Sequence, residues 1–246
     1  MPRHRQGRRR ALGQHYLVDP SVVATMVRLA NIRRDERVLE IGAGRGALTR
    51  ALVGLSDSVE AFELDEENYL AMKKMDLEGV VLRLGDGFAG SRQFDVLVSS
   101  LPYSESANFV EWLCGQNYKR AVVLLQKDFV DKLLSKPGEE RYRAISVISQ
   151  ISSDVRIEQD VQRDSFEPPP NVSSVISEFI PRTAVSREQI VLLKALFSQR
   201  RRKLGGALAQ LGLAAPNASR MLSDRRVQSL APSDFQWLLG HLQGQM

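Results

Sequence analysis

Val38-Leu39-Glu40-Ile41-Gly42-Ala43-Gly44-Arg45-Gly46 is the stretch whose reading decides the fold. A short apolar run reads as a strand, glycines follow at alternate positions, and a helix pattern begins near Ala47. A glycine-rich turn between strand and helix lets a ligand approach the backbone closely. Outward from it the same alternation repeats, with strand patterns at Val59 to Glu63, Val80 to Leu84, Phe94 to Ser99 and Ala121 to Leu125, each followed by a polar or glycine-containing stretch and helix-compatible residues. Such alternation predicts five parallel strands joined by crossover helices, an α/β fold with helices on both faces of the sheet. Upstream, Val22, Val23, Met26, Val27 and Ala30 recur at helical spacing behind Asp19 as cap and Pro20 in the first turn. Downstream come helical patterns at Phe129 to Leu134 and Ala144 to Ile151, then strand patterns at Val155 to Val161 and Val175 to Ile180. Between those two lies Phe166-Glu167-Pro168-Pro169-Pro170, which fits neither helix nor central strand, so the pair reads as a hairpin-like excursion closing the sheet edge.

Pro181 ends this core, and residues 187–246 read as a small helical domain with Leu192, Leu193, Leu196 and Phe197 on one face. The organisation expected is a basic, disordered tail over residues 1–12, a ligand-binding α/β domain over 13–182 and a helical domain over 183–246.

Two ligands compete for the glycine turn. A dinucleotide fold also places glycines here, with an acid about 20 positions on for the ribose hydroxyls. Glu63, at the end of the second strand pattern, fills that role in either case. The third glycine, however, comes one residue early for G-x-G-x-x-G and suits the E-x-G-x-G-x-G form of methyltransferases. An acid such as Glu40 sits awkwardly near a pyrophosphate but comfortably near the amino group and sulfonium of S-adenosyl-L-methionine, which has no phosphate. Asp86, between Gly85 and Gly87 after the third strand, is placed to accept a hydrogen bond from an adenine amino group; a bare surface turn is the competing reading.

The 246 residues, 43% of them hydrophobic, suffice for one full core with a smaller appendage. No stretch approaches the roughly 18 uninterrupted apolar residues of a membrane span, and the arginine-rich start lacks the apolar segment of a secretory signal. The cytoplasm is therefore the expected compartment; a mitochondrial transit peptide is weakened by the absence of serine near the start. Cys114 stands alone and the histidines His4, His15 and His241 are scattered, so no metal site is expected. Charge is segregated. Residues 1–34 hold eight Lys or Arg against one acid, residues 35–182 seventeen against twenty-five, and residues 183–246 nine against three. Basic ends suit a polyanion and an acidic middle suits a ligand carrying positive charge.

After the fourth strand comes Ser99-Ser100-Leu101-Pro102-Tyr103, where the switch point of such a sheet presents residues to substrate. Amino-group methyltransferases carry (N/D)-P-P-(Y/F) or N-L-P-Y at this place. From about Leu12 to Leu239 the chain strongly resembles the small-subunit ribosomal RNA adenine dimethyltransferase family, the KsgA type. Separate blocks carry the likeness: Gly13-Gln14-His15-Tyr16-Leu17, the Glu40 to Gly46 loop, Glu63-Leu64-Asp65, Leu101-Pro102-Tyr103, Gln126-Lys127, Ser165 to Val172 and Gln199-Arg200-Arg201-Arg202-Lys203. The resemblance implies a Rossmann-like class I methyltransferase core with a helical C-terminal domain. It implies methylation of two adjacent adenosines near the 3′ end of small-subunit rRNA, in a pre-30S-type particle; a monomer is the expected state. By position, Gln14, His15, Leu17, Glu40, Gly42, Gly44, Glu63, Leu64, Asp86 and Ser100 would line the cofactor pocket. Ser100, Leu101, Pro102, Tyr103 and Phe166 would serve the reacting end, with Tyr103 and Phe166 stacking on the flipped base; core packing is the competing reading of those two rings. Arg200, Arg201, Arg202 and Lys203, with Arg220, Arg225 and Arg226 further on, would contact RNA phosphates.

The chain departs from the family at Ser100, where asparagine is usual. A hydroxyl is shorter than an amide and must reorient its own hydrogen to accept. The departure predicts transfer that is slow or stops after one methyl, and it keeps a non-catalytic RNA-binding assembly or transcription factor in view as the alternative. A dinucleotide-dependent oxidoreductase is the third reading, disfavoured by the glycine spacing.

Overall fold

The strand patterns read around Glu40 all become strands of one sheet. A computed structural model describes residues 15–90, 92–214 and 220–242. In chain order the α/β elements are β1 (Tyr16–Leu17), α1 (Pro20–Ala30), β2 (Arg37–Ile41), α2 (Ala47–Leu52), β3 (Ser58–Glu63), α3 (Glu66–Lys73), β4 (Val80–Leu84), β5 (Val96–Ser100), α4 (Ser106–Leu113), β6 (Arg120–Gln126), α5 (Lys127–Leu133), α6 (Ala144–Ser152), β7 (Ser153–Val161), β8 (Phe166–Glu167) and β9 (Ser174–Pro181). There follow α7 (Arg187–Ser198), α8 (Leu204–Gln210), α9 (Arg220–Ser223) and α10 (Pro232–Leu242).

The large sheet has the order β4-β3-β2-β5-β6-β9-β7. β2 pairs parallel with β3 and β5, β3 with β4, and β5 with β6, which makes the five expected parallel strands. β9 lies antiparallel to β6, so the excursion closes the edge with its later strand on the inside. In β5 residues 96–99 and in β6 residues 121–125 are all buried, the mark of strands covered on both faces. Val38, Val96, Val98, Val122, Leu124 and Ile176 share one apolar cluster with Val22, Val23, Met26 and Ala30 of α1 and Leu48 and Leu52 of α2. Each of the Val, Leu, Ile and Met side chains among them contributes about 1.5–3 kcal/mol on full burial. α1 begins where the sequence places it, because Asp19 Oδ1 accepts from the Ser21 N–H at 2.9 Å, and it ends at Asn31, whose N–H donates to the carbonyls of Val27 and Arg28.

A second sheet of two strands pairs β1 with β8, setting Tyr16 opposite Glu167 and Leu17 opposite Phe166. Arg120 ties the amino-terminal ends of the large sheet together: it pairs at 2.6 Å with Glu36, whose side chain has no exposure, and holds that carboxyl well below the usual carboxylate range.

The chain divides into two compact units, one taking residues up to 109, 116–130 and 156–181, the other 110–115, 131–155 and the residues from 182 on. In the second, α7 opens with a capping box between Ser186 and Gln189 and buries Ile190, Leu192, Leu193, Leu196 and Phe197. Phe197 packs edge-on against Tyr142 at 5.6 Å and beside Phe235 at 5.5 Å. The Tyr142 hydroxyl donates to the Leu230 carbonyl. Cys114 is buried, and burial pushes its thiol up to about 12, consistent with a packing residue rather than a nucleophile. Residues 1–12, read as a basic tail, lie outside the described residues. Among the described residues no helix is long and apolar enough to cross a membrane, and no cluster of His, Cys, Asp or Glu is arranged to hold a metal ion.

Candidate active site

The carboxyl ends of β2, β3 and β5, with the turn after β4, open into a cleft of about 1410 Å³. Its floor is the turn that follows β2. The N–H groups of Gly42 and Ala43 donate to the Phe62 carbonyl, and the Gly44 N–H donates to Glu63 Oε2 at 2.6 Å. Gly44 has φ +56°, and a Cβ there would stand 3.3 Å from the Tyr16 ring, so both conformation and space ask for glycine. Glu63 Oε1 accepts from the Asp65 N–H at 2.7 Å, which fixes the carboxylate at the head of α3. Burial raises its pKa against the pull of these hydrogen bonds.

Glu40 lines the cleft with no exposure of its own, and neither carboxylate oxygen forms a hydrogen bond. Burial pushes its carboxyl up to about 7, and the Glu63 charge adds to the rise. Thr49, whose hydroxyl is likewise unpartnered, opposes the rise without meeting hydrogen-bond geometry. A partnerless buried carboxylate is costly unless something of positive charge meets it.

Asp86 Oδ1 accepts from the Phe88 N–H at 2.8 Å, and the Gly85 N–H donates to the Glu63 carbonyl. A Cβ on Gly87 would fall 2.7 Å from Ile41 Cγ2, so this turn lies hard against β2. Arg92 clasps it from outside, donating to the carbonyls of Asp86 at 3.2 Å and Gly87 at 3.3 Å, with its guanidinium 4.2 Å from the centre of the Phe62 ring.

At the reacting end, the Ser99 hydroxyl donates to the Ile41 carbonyl, and Ser100, Leu101 and Pro102 line the cleft. The Pro102 carbonyl accepts from the Glu105 N–H at 2.9 Å. Tyr103 is half-buried, with its hydroxyl bonded to that of Ser174 and its ring stacked on His15 at 5.8 Å; burial raises its phenol. His15 in turn holds the Pro168 carbonyl through Nδ1 at 2.7 Å.

His15, Leu17, Glu40, Gly42, Gly44, Glu63, Leu64, Asp86, Ser100, Leu101 and Pro102 therefore meet in one cleft, with Leu64 at its rim, 68% exposed. Gln14 lies outside the described residues. Tyr103 adjoins the cleft through His15 rather than lining it. Phe166, expected to stack on the target base with core packing as the competing reading, is 3% exposed, stands opposite Leu17 and belongs to the apolar cluster of the core. Sequence reasoning missed Tyr16, Arg45, Arg92 and Ser174 as site neighbours. The basic run lies in the turn between α7 and α8, where Arg201 and Arg202 are exposed, Arg200 donates to the Glu140 carbonyl at 3.2 Å and Lys203 pairs with Asp224 at 2.9 Å.

Comparison with known proteins bears on the family and the fold. Residues 5–81 and 87–236 match the family model described as ribosomal RNA adenine dimethylase. The ribosomal RNA small subunit methyltransferase A of Geobacter metallireducens is 33% identical over 255 aligned positions, covering 92% of each chain. Among solved structures, a dimethyladenosine transferase from Plasmodium falciparum superposes with a TM-score of 0.79 at 24% identity, covering 94% of this chain and 98% of that one. The 23S rRNA methyltransferase ErmE gives 0.62 at 20% identity, covering 92% and 99%. These last two likenesses speak for the fold, and the family match with the Geobacter relative settles the lineage: the chain belongs to the ribosomal RNA adenine dimethylase family.

Proposed function

We propose that this chain transfers methyl groups from S-adenosyl-L-methionine to the N6 amino group of adenosines near the 3′ end of small-subunit rRNA, two adjacent adenosines being the target. The observation that carries the reading is Glu40, a carboxylate fully buried in the cleft wall with no partner of its own. A cationic ligand resolves that cost, and a pyrophosphate would aggravate it. The names of the family and of the relatives support ribosomal RNA adenine as the substrate class, and the choice of two adjacent adenosines near the 3′ end rests on the resemblance.

The residues present fit the cofactor. Gly42 and Gly44 leave room for close approach of the backbone, Glu63 keeps lone pairs for ribose hydroxyls, and Asp86 is fixed to accept from the adenine amino group. When bound, the cofactor supplies a methyl group on a positively charged sulfur.

The protein's task is then positioning and hydrogen acceptance. An adenine amino nitrogen is a poor nucleophile because its lone pair is delocalised into the ring, so the site must hold it in line and accept its hydrogens. Ser100 and the Leu101 carbonyl are the acceptors in this reading, since the Pro102 carbonyl already takes the Glu105 N–H. Tyr103, braced by Ser174 and His15, offers its ring to the target base taken out of its helix. Arg200 to Lys203 contact RNA phosphates, and the protein works as a monomer on a pre-30S-type particle in the cytoplasm.

Incubation with labelled cofactor and unmethylated small subunits, followed by mass spectrometry of the nucleosides, tests the reading. N6-methylated adenosine is expected. Absence of transfer, with intact binding of S-adenosylhomocysteine, would leave only the cofactor half standing.

A further inference from the structure

Seven acidic side chains line the cleft, and Arg45 is its only lysine or arginine among the described residues. The glycine turn does not demand an arginine at this position. Its guanidinium lies 4.3 Å from the centre of the Tyr16 ring, and Nη1 donates to Glu167 Oε2 at 2.9 Å. That ion pair is open to solvent, with Arg45 44% and Glu167 64% exposed, so it is weak and readily exchanged. The pair occupies one of the five N–H donors of the guanidinium fork.

Resting on the proposed cofactor reading of the cleft, we infer that Arg45 is the receptor for the carboxylate at the amino-acid end of S-adenosyl-L-methionine, and that Glu167 competes with that carboxylate for the guanidinium. The amino-acid end is a zwitterion and needs one acid and one base close together. β2 and its turn supply both within six residues: Glu40, buried in the cleft wall, sets negative charge behind the positive groups, and Arg45, open to the cleft, meets the negative one. A planar fork suits a carboxylate in a way no other lining side chain does. Tyr16 and Glu167 belong to the paired strands β1 and β8, so the cation is presented by a braced strap rather than a loose loop.

Calorimetry with two ligands separates this role from a merely structural one. S-adenosylhomocysteine carries the amino-acid carboxylate; 5′-methylthioadenosine has the same adenine, ribose and thioether without it. Arg45→Leu is expected to weaken S-adenosylhomocysteine about tenfold while leaving methylthioadenosine unchanged. Glu167→Gln, which leaves Arg45 in place, is expected to tighten S-adenosylhomocysteine by about two- to threefold at low salt. Equal weakening of both ligands in Arg45→Leu, or no change in S-adenosylhomocysteine with either variant, overturns the assignment. Should the wild-type protein bind neither ligand, the cofactor reading itself falls and this inference with it.

Discussion

Glu40→Gln turns the buried carboxylate into a measurable quantity. The wild-type carboxyl titrates at about 7 in the folded protein, against an ordinary value of 4.5. At about 1.4 kcal/mol for each tenfold change in proton affinity, that difference corresponds to about 3 kcal/mol. Because the folded state keeps its proton up to about 7 while the unfolded chain releases it near 4.5, the folded state binds more protons in between, and stability falls as pH rises across that window. The glutamine variant has no charge to bury. Relative to wild type, its unfolding free energy should therefore show no pH-dependent gain below about pH 4.5, gain steadily to pH 7, and hold an advantage of about 3 kcal/mol above it, or roughly 6–12 °C in melting temperature for a chain of this size. Any constant offset from the unpartnered amide moves the whole curve and leaves this slope intact. Ligand binding should run the other way. A cation stabilises the ionised carboxylate, so affinity for S-adenosyl-L-methionine should rise with pH through about 7 in wild type and be flatter in the variant. Thermal melts and calorimetry from pH 4 to 9 read both effects. Parallel stability curves for the two proteins would refute the claim that Glu40 is buried without a partner.

Ser100→Asn should raise the rate of methyl transfer by about tenfold or more and move the product from one methyl towards two, read by nucleoside mass spectrometry; efficient dimethylation by the wild-type chain would sink the argument from the shorter acceptor. Gly87→Ala pushes a Cβ to within 2.7 Å of Ile41, so it should cost about 1–3 kcal/mol and weaken S-adenosylhomocysteine through Asp86, with partial recovery when Ile41→Ala removes the colliding Cγ atoms. Replacing Arg201 and Arg202 by alanine should weaken RNA binding across sequences and reduce the slope of log affinity against log salt by about one to two; an unchanged slope assigns them to solvent.

The sheet was legible because its central strands are buried on both faces and so appear as apolar runs, each cut off by glycine or polar residues at the carboxyl end where the cleft opens. Glu40, Glu63 and Asp86 were legible for a related reason: each stands in or just after a strand, so sequence position and spatial position coincide. What failed to show was anything assembled across long separations. β1 and β8 are two residues each and pair across about 150 positions, too short for any period, and that pairing is what turns Phe166 inward although three prolines follow close behind it. Tyr142 sits in the polar stretch Glu139-Glu140-Arg141-Tyr142-Arg143 and still has no exposure, because the helical unit recruits residues 131–155 as well as the C-terminal segment. Arg45 and Arg92 belong to no periodic pattern that would assign them a contact. Only the fold sets one over Tyr16 and the other over Phe62.

The acidity of the cleft also weighs on the two ligands that the glycine turn left in competition. Two unit charges 5 Å apart interact by about 3 kcal/mol at an effective dielectric of about 20. A pyrophosphate lying on the Gly42 to Gly46 turn would set negative charge close to Glu40 and Glu63 and so oppose the ionisation of Glu40. A sulfonium and an ammonium in the same place reverse the sign of that contact and draw Glu40 towards ionisation. The same buried group that destabilises the ligand-free protein thus becomes a source of selectivity once a cation arrives, and NAD should show no binding under conditions where S-adenosyl-L-methionine binds.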